Sequence, residues 1–460
     1  MGSDIIIRSL VHLLKIFSIL ILLLLIFSNA KLVSAKQRHI ITDAEIQSYL
    51  EDLTKPLLKA AGLSTGDVKL HIVVDASLNA FVSNGKNIFL HTGLLMNTVT
   101  PGQLSGVLAH EIGHIAGGHL TRTSEVVRKA SKVAMISSIL SATAIVLTGK
   151  GEAATALLGN GQNIARQVFL GHSRAQESAA DNAAVRYLRL TQQNPKGLLD
   201  FLKILKQNET MSTVVQSPYF RTHPLTQDRI AFFENQIAIH PSNANEYSLI
   251  MNNRHKRMIA KLFGFLKPPS ETFKRYQKNI DNVVSKYAFA IAFHKNANTS
   301  EALSILDELL NIRSKDPYFW ELKGQILFES AEPNKARLAY QKALNLGEHI
   351  PLIREQLARV ELAIGTPNMN LSALKHSQIS VKTLPMSALS WHNLAIAQGR
   401  TGDVAMANLS LAEEALLQNQ IKLVILYTNR AQKLLNSNTP SYQRSKDIFE
   451  LAKRISKHTK

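Results

Sequence analysis

Residues 104–120 read Leu-Ser-Gly-Val-Leu-Ala-His-Glu-Ile-Gly-His-Ile-Ala-Gly-Gly-His-Leu. Leu104, Val107 and Leu108 recur at helical spacing and Ile115 continues the apolar run, which predicts a helix over Leu104–Leu120. On it His110 and His114 stand one turn apart and share a face. Two neutral imidazoles so placed can bind one Zn²⁺, and Glu111 between them can reach a water on the metal. The polar face of an ordinary helix would show none of the companion residues found downstream.

A catalytic zinc takes three protein ligands and leaves one position open, so a third ligand is required. A metzincin would place a His six residues past His114; that position is Leu120, and His119 is one short. Five residues turn a continuous helix by about 500°, which takes His119 off the ligand face and makes it a supporting group. The better candidate lies in 173–184, Ser-Arg-Ala-Gln-Glu-Ser-Ala-Ala-Asp-Asn-Ala-Ala. Its alanines let one helix approach another closely. Glu177 can then face the metal, with Asp181, one turn on, placed to accept the N–H of a ligand histidine; the alternative that spacing leaves open is a pair of solvated surface carboxylates.

The rest of the chain sets the context. Its 460 residues are 45% apolar and 19% charged, which excludes wholesale disorder and a polytopic membrane protein. With no cysteine, disulfides, thiol catalysis and Cys-bound zinc are excluded. The 53 Lys and Arg against 34 Asp and Glu leave a charge of +19, suited to an anionic surface. Arg8 and Lys15 precede an apolar run from Ile16 to Phe27, too short to span a bilayer, and small-residue sites follow. This reads as a signal peptide, residues 1–35, cut after Ala35. Export, to the periplasm in a bacterium, argues against nucleic acid as partner and leaves peripheral membrane contact open.

A helix is expected over Thr42–Gly62, with Pro56 placed to kink it, then strands at Val68–Val74, Asn79–Val82 and Asn87–Leu90. Asn84-Gly85 marks the last two as a hairpin, and Asn79–Val82 is suited to be an edge strand that pairs with an extended substrate. Helices follow at Glu125–Leu147, Ile164–Leu170 and Ala175–Leu190. Within the first, Val133–Leu147 is uncharged but short and dotted with serine, so it reads as buried or interfacial rather than spanning. Lys267-Pro268-Pro269-Ser270 marks a boundary. The organisation expected is a protease domain over 36–266, a linker over 267–280 and a helical repeat domain over 281–460. In the repeats Ala290, Gly324 and Ala358 recur every 34 residues, and Ala395 follows 37 on, the extra three falling within Gly365–Asn370. Ala302, Ala336, Ala373 and Ala407 are their partners in the second helices. Trp320 and Trp391 occupy equivalent positions, and Ser441–Ser456 caps the array.

His110-Glu111-x-x-His114, followed by Ser173-Arg174-x-x-Glu177-x-x-Ala180-Asp181, resembles the gluzincins of peptidase family M48, which include the CAAX prenyl proteases and the HtpX-type proteases. Asn79-Ala80-Phe81, Thr92-Gly93-Leu94-Leu95 and the element from Thr222-His223-Pro224 to Arg229-Ile230 fit the same pattern, so the resemblance covers about 40–235. It implies a mainly α fold: a gluzincin metalloprotease domain with a small β-sheet. The 34-residue period resembles tetratricopeptide repeats, an α-solenoid following that domain. By this resemblance His110, His114 and Glu177 bind one Zn²⁺ per chain and Glu111 is the catalytic base. Two roles stand open for His223: donor to the oxyanion, or occupant of the open metal position at rest. The combination implies an endopeptidase in outer-membrane protein quality control. Its substrates would be unfolded or misassembled envelope proteins, and its repeats would engage clients or outer-membrane assembly machinery. The alternative is a chaperone or adaptor in which the site is latent.

Overall fold

The structure is a computed structural model that describes residues 39–83, 85–123, 125–126, 128, 173–211, 219, 223–224, 227–239 and 247–458. The expected signal peptide, the helix over Ile164–Leu170 and Val133–Leu147 lie outside them. Among the described residues no helix is long and apolar enough to cross a membrane.

The chain starts with β1 (Ile40–Ile41) and α1 (Ala44–Ala60), whose N-terminus is capped by Asp43 accepting from the Ile46 N–H at 2.9 Å. Pro56 sits inside α1 and the helix runs on without a break. Three further strands, β2 (Lys69–Val73), β3 (Ala80–Ser83) and β4 (Asn87–His91), complete a sheet of order β1-β2-β4-β3. β3 and β4 are the expected hairpin, turning through Gly85 at φ 84°. β3 is an edge, as expected of Asn79–Val82. The parallel pairing of β2 with β4 and the two-residue β1 were not foreseen, because neither leaves a local pattern.

After α2 (Thr92–Asn97), Thr100 caps α3 (Pro101–Ala116), with Pro101 in its first turn. Leu104, Val107, Leu108 and Ile112 are buried in one core with Leu90 and Leu94. The helix stops at Ala116, short of the expected Leu120, because the chain turns at Gly117 and Gly118, the latter at φ 62°. α4 (173–190) and α5 (Lys196–Met211) hold α3 between them. A methyl added at Gly106 would lie 2.6 Å from Leu198 Cβ, and one at Gly113 would lie 3.0 Å from the Ala180 oxygen. The first glycine lets α5 close on α3, and the second sets how α4 sits over the histidines of α3. The N-terminal part continues with α6 (Gln227–Ile239) and α7 (Leu249–Leu266).

The expected linker folds as α8 (Pro269–Tyr276) and a short 3₁₀ turn. Five helix pairs follow: α9 (Val283–Lys295) with α10 (Thr299–Ile312), α11 (Pro317–Glu329) with α12 (Pro333–Leu346), and α13 (Pro351–Ile364) with α14 (Pro367–Thr383). The last two are α15 (Ala388–Arg400) with α16 (Val404–Leu417), and α17 (Ile421–Leu434) with α18 (Pro440–His458). All eight small residues of the register are buried, and the Tyr340 ring lies where a side chain on Gly324 would be. Trp320 and Trp391 each donate to a carbonyl six residues back, on Ser314 and Pro385, at 2.9 Å. The three extra residues do not lengthen the loop at Gly365–Asn370; they extend α14 to 17 residues, where α10 and α12 have 14.

The N-terminal part and the helix pairs meet through buried charge. Lys261 of α7, 1% exposed, lies 2.7 Å from Asp43 and 3.1 Å from Glu321 of α11. Arg257 pairs with Glu45 at 2.7 Å and with Asp316, its guanidinium over the Phe319 ring at 4.3 Å. Tyr287 of α9 donates to Glu45 at 2.7 Å. Ala44 packs into the repeat core itself.

Candidate metal centre

His110 and Glu111 are fully buried on α3, and His114 is buried but for a side-chain edge. α4 brings Glu177 over them, and His223 approaches from the chain ahead of α6. His110 Nε2 lies 3.1 Å from His114 Nε2, 3.3 Å from Glu177 Oε2 and 3.3 Å from His223 Nδ1. Glu177 Oε1 lies 3.3 Å from His114 Nε2 and 3.2 Å from His223 Nδ1. One donor atom from each of the four residues falls within 4.8 Å of every other. A tetrahedron of ligands about 2.0–2.1 Å from a small divalent ion has edges of about 3.3–3.4 Å. The donors are three imidazole nitrogens and a carboxylate, and most of their separations match that edge, so the residues fit such an ion.

Glu111 points into the same space. Neither of its buried oxygens accepts a hydrogen bond from the described residues; the nearest approach is His223 Nε2 at 3.5 Å. Burial raises its carboxyl above the ordinary value, with the charges of His223 and His110 working the other way. That is the condition of a carboxylate able to hold a proton in transit.

Behind the ligands stands a second layer. Asp181 Oδ1 lies 2.9 Å from His110 Nδ1, a charge contact that favours a proton on that nitrogen and leaves Nε2 facing the centre. Arg229 of α6 holds Asp181 with a fork of 2.7 and 2.8 Å and reaches Glu177 at 3.0 Å. Burial opposes charge on both partners, but the pairing wins: Arg229 is held above its ordinary value and Asp181 below. Burial likewise works against charge on Glu177, yet the His223 charge and three imidazole hydrogen bonds hold it well below the carboxylate range. His110 is raised to about 9 against its burial, by Asp181 and Glu177. His114 is driven down to about 3 by burial, with only Glu177 opposing.

All six residues singled out by the sequence (His110, Glu111, His114, Glu177, Asp181 and His223) therefore converge. His119 does so by a route not expected. The break at Gly117–Gly118 returns it to the site, and its Nδ1 lies 2.9 Å from His114 Nδ1. Its carbonyl accepts from Gln176 at 2.9 Å, tying it to α4. Arg229 belongs to the motif already quoted, but its bridge between two carboxylates has no sequence signal apart from that position. Tyr219 carries none: its ring lies 4.7 Å from that of His223, and its carbonyl accepts the His223 N–H at 2.7 Å.

Residues 41–237 match the model of peptidase family M48. The beta-barrel assembly-enhancing protease of Yersinia pestis is 25% identical over 399 residues, covering 84% of this chain and 79% of that one. The protein of the same name from Escherichia coli K12 is 27% identical over 43% of this chain and 40% of its own length. The metalloprotease LoiP of that organism is 28% identical over 37% of this chain and 63% of its own. Among solved structures, YrrB, titled a TPR protein with an unusual peptide-binding site, is 16% identical with a TM-score of 0.32. It covers 43% of this chain and 97% of that one. The repeat assignment rests on the helix pairs described above. On the family match and the four-residue donor cluster, residues 41–237 form a peptidase family M48 domain, and the chain is a metallopeptidase.

Proposed function

We propose that the protein is a zinc-dependent endopeptidase of the periplasm that removes misfolded or stalled proteins during outer-membrane assembly, with the repeats recruiting clients or assembly machinery. The observation that carries the chemistry is the convergence of His110, His114 and Glu177 at tetrahedral separations beside an unbonded, buried Glu111. The cellular setting is suggested by the name of the Y. pestis relative, which spans most of this chain.

His110, His114 and Glu177 would hold the zinc, which when bound supplies a Lewis acid for the scissile carbonyl and acidifies water. Glu111 accepts a proton from the attacking water and passes it to the leaving amide nitrogen. Asp181, clamped by Arg229, keeps the His110 Nε2 lone pair inward. β3, an edge strand touching α3, offers backbone groups to an extended substrate.

For His223 we favour the resting latch over the oxyanion donor, because its Nδ1 lies at a fourth corner of the donor cluster. The same observation favours the second reading, a chaperone or adaptor with a latent site. Metal analysis and casein digestion of the wild type and Glu111→Gln test the proposal. The variant is expected to keep about one zinc and lose several orders of magnitude of turnover. Full activity in Glu111→Gln would refute the catalytic assignment. Envelope complementation by the inactive variant would favour the chaperone.

A further inference from the structure

A cleft of about 790 Å³ opens on a face that the metal centre does not use, between the loop after α2, α7, and the 275–285 segment. Four cations line it: Lys256, Arg275, Lys278 and Arg313. Each is exposed, and none has a carboxylate partner among the described residues. The other polar lining is mainly asparagine, and no Asp or Glu contributes. The carboxylates nearest in sequence, Glu271, Asp281 and Asp316, are not among the lining residues; Asp281 acts on Lys286, and Asp316 pairs with Arg257. Lys86 with Asp67 and Lys286 with Glu308 show the paired arrangement that these four lack. A share of the +19 charge is thus gathered, unneutralised, in one concavity.

The rim is apolar. Val99 lines the cleft and is 67% exposed; Ile280 lies between lining residues Asn279 and Asn282 and is 52% exposed; Ile312 precedes Arg313 and is 59% exposed. Leu249 is 77% exposed and stands one and two turns before lining residues Asn253 and Lys256 on the same face of α7. Scattered exposed aliphatics need no explanation, but four around an unpaired basic cleft are arranged as an interfacial surface. A small soluble anion would engage the cations and leave the aliphatics in water. A phospholipid surface satisfies both, with phosphates to the cations and the acyl boundary to the aliphatics.

We propose that this cleft docks the protein on an anionic phospholipid bilayer, with Lys256, Arg275, Lys278 and Arg313 at headgroup phosphates and Val99, Leu249, Ile280 and Ile312 at the acyl boundary. The docking assigns the basic charge a place and is independent of the catalytic reading.

The test is sedimentation of the full chain with phosphatidylcholine vesicles, with and without 30% phosphatidylglycerol. Each cation near such a surface contributes about fivefold to partitioning. Lys256→Gln/Lys278→Gln/Arg313→Gln is therefore expected to lower binding to the anionic vesicles roughly hundredfold, with an unchanged melting temperature and unchanged casein digestion. Val99→Ser/Ile312→Ser is expected to bind at low salt but to be released by 0.5 M salt that the parent resists. Three results would overturn the proposal: parent-like binding by the triple variant, equal binding of the parent to neutral vesicles, or its release by 10 mM inorganic phosphate at constant ionic strength. The last would make the cleft a site for free phosphate.

Discussion

Replacing Lys261 with Met tests whether the repeats and the catalytic part are one stability unit. Lys261 is 1% exposed and neutralises Asp43 and Glu321, with Glu45 at 3.7 Å. Removing one member of a buried ion pair costs about 3–5 kcal/mol, because the other charge stays buried. Glu321 has an escape. Burial already pushes its carboxyl up to about 7, even with Lys261 pulling it down. A carboxyl raised in the folded state favours folding while protonated, and that contribution is lost as pH rises through about 7. Without Lys261 the loss deepens and shifts to higher pH. Lys261→Met is therefore expected to cost about 3–5 kcal/mol at pH 8 and less than about 2 kcal/mol at pH 5.5, where Glu321 carries a proton. Lys261→Met/Glu321→Gln should recover most of the loss at pH 8. Urea unfolding followed by tryptophan fluorescence reads this directly, since the two tryptophans, Trp320 and Trp391, both lie in the repeats. A cost at pH 8 below about 1 kcal/mol, or one equal at both pH values, would refute the reasoning.

His223→Ala is expected to keep its zinc and to raise basal casein cleavage and self-cleavage; strongly reduced activity on every substrate would defeat the latch and leave the oxyanion role. Arg229→Lys loses the fork on Asp181 and is expected to weaken zinc binding about 10- to 100-fold in chelator competition, and an unchanged affinity would show that Asp181 needs no clamp. His255 is held neutral, accepting from Tyr49 OH at 2.8 Å and donating to the Thr98 carbonyl at 3.1 Å, and burial lowers it to about 4. The unfolded chain takes up that proton first, so stability falls as pH drops from about 6.5 to about 4, by roughly 3 kcal/mol from this group. His255→Gln should flatten that limb in urea titrations at stepped pH, and an identical slope would exclude His255 as its source.

What the sequence by itself determined is whatever repeats at a local period. The i, i+4 pairs His110/His114 and Glu177/Asp181 follow from one turn of helix, and the 34-residue recurrence of Ala290, Gly324 and Ala358 from one helix pair. The hairpin at Gly85 follows from a residue that tolerates positive φ. Tertiary structure decided everything that depends on where two distant segments touch. His119 belongs to the site because the helix breaks at Gly117–Gly118, and a rotation counted along an unbroken helix could not find it. The extra three residues of the third repeat extend α14, because helical hydrogen bonds absorb them at less cost than a longer loop. Arg229 became a clamp only once α4 and α6 brought it against Asp181 and Glu177. The junction through Lys261 and Arg257 has no periodic signal, since its partners are 59 or more residues apart except within each cluster. Buried charge of that kind is specified by pairing in space, and the order of residues along the chain does not encode it.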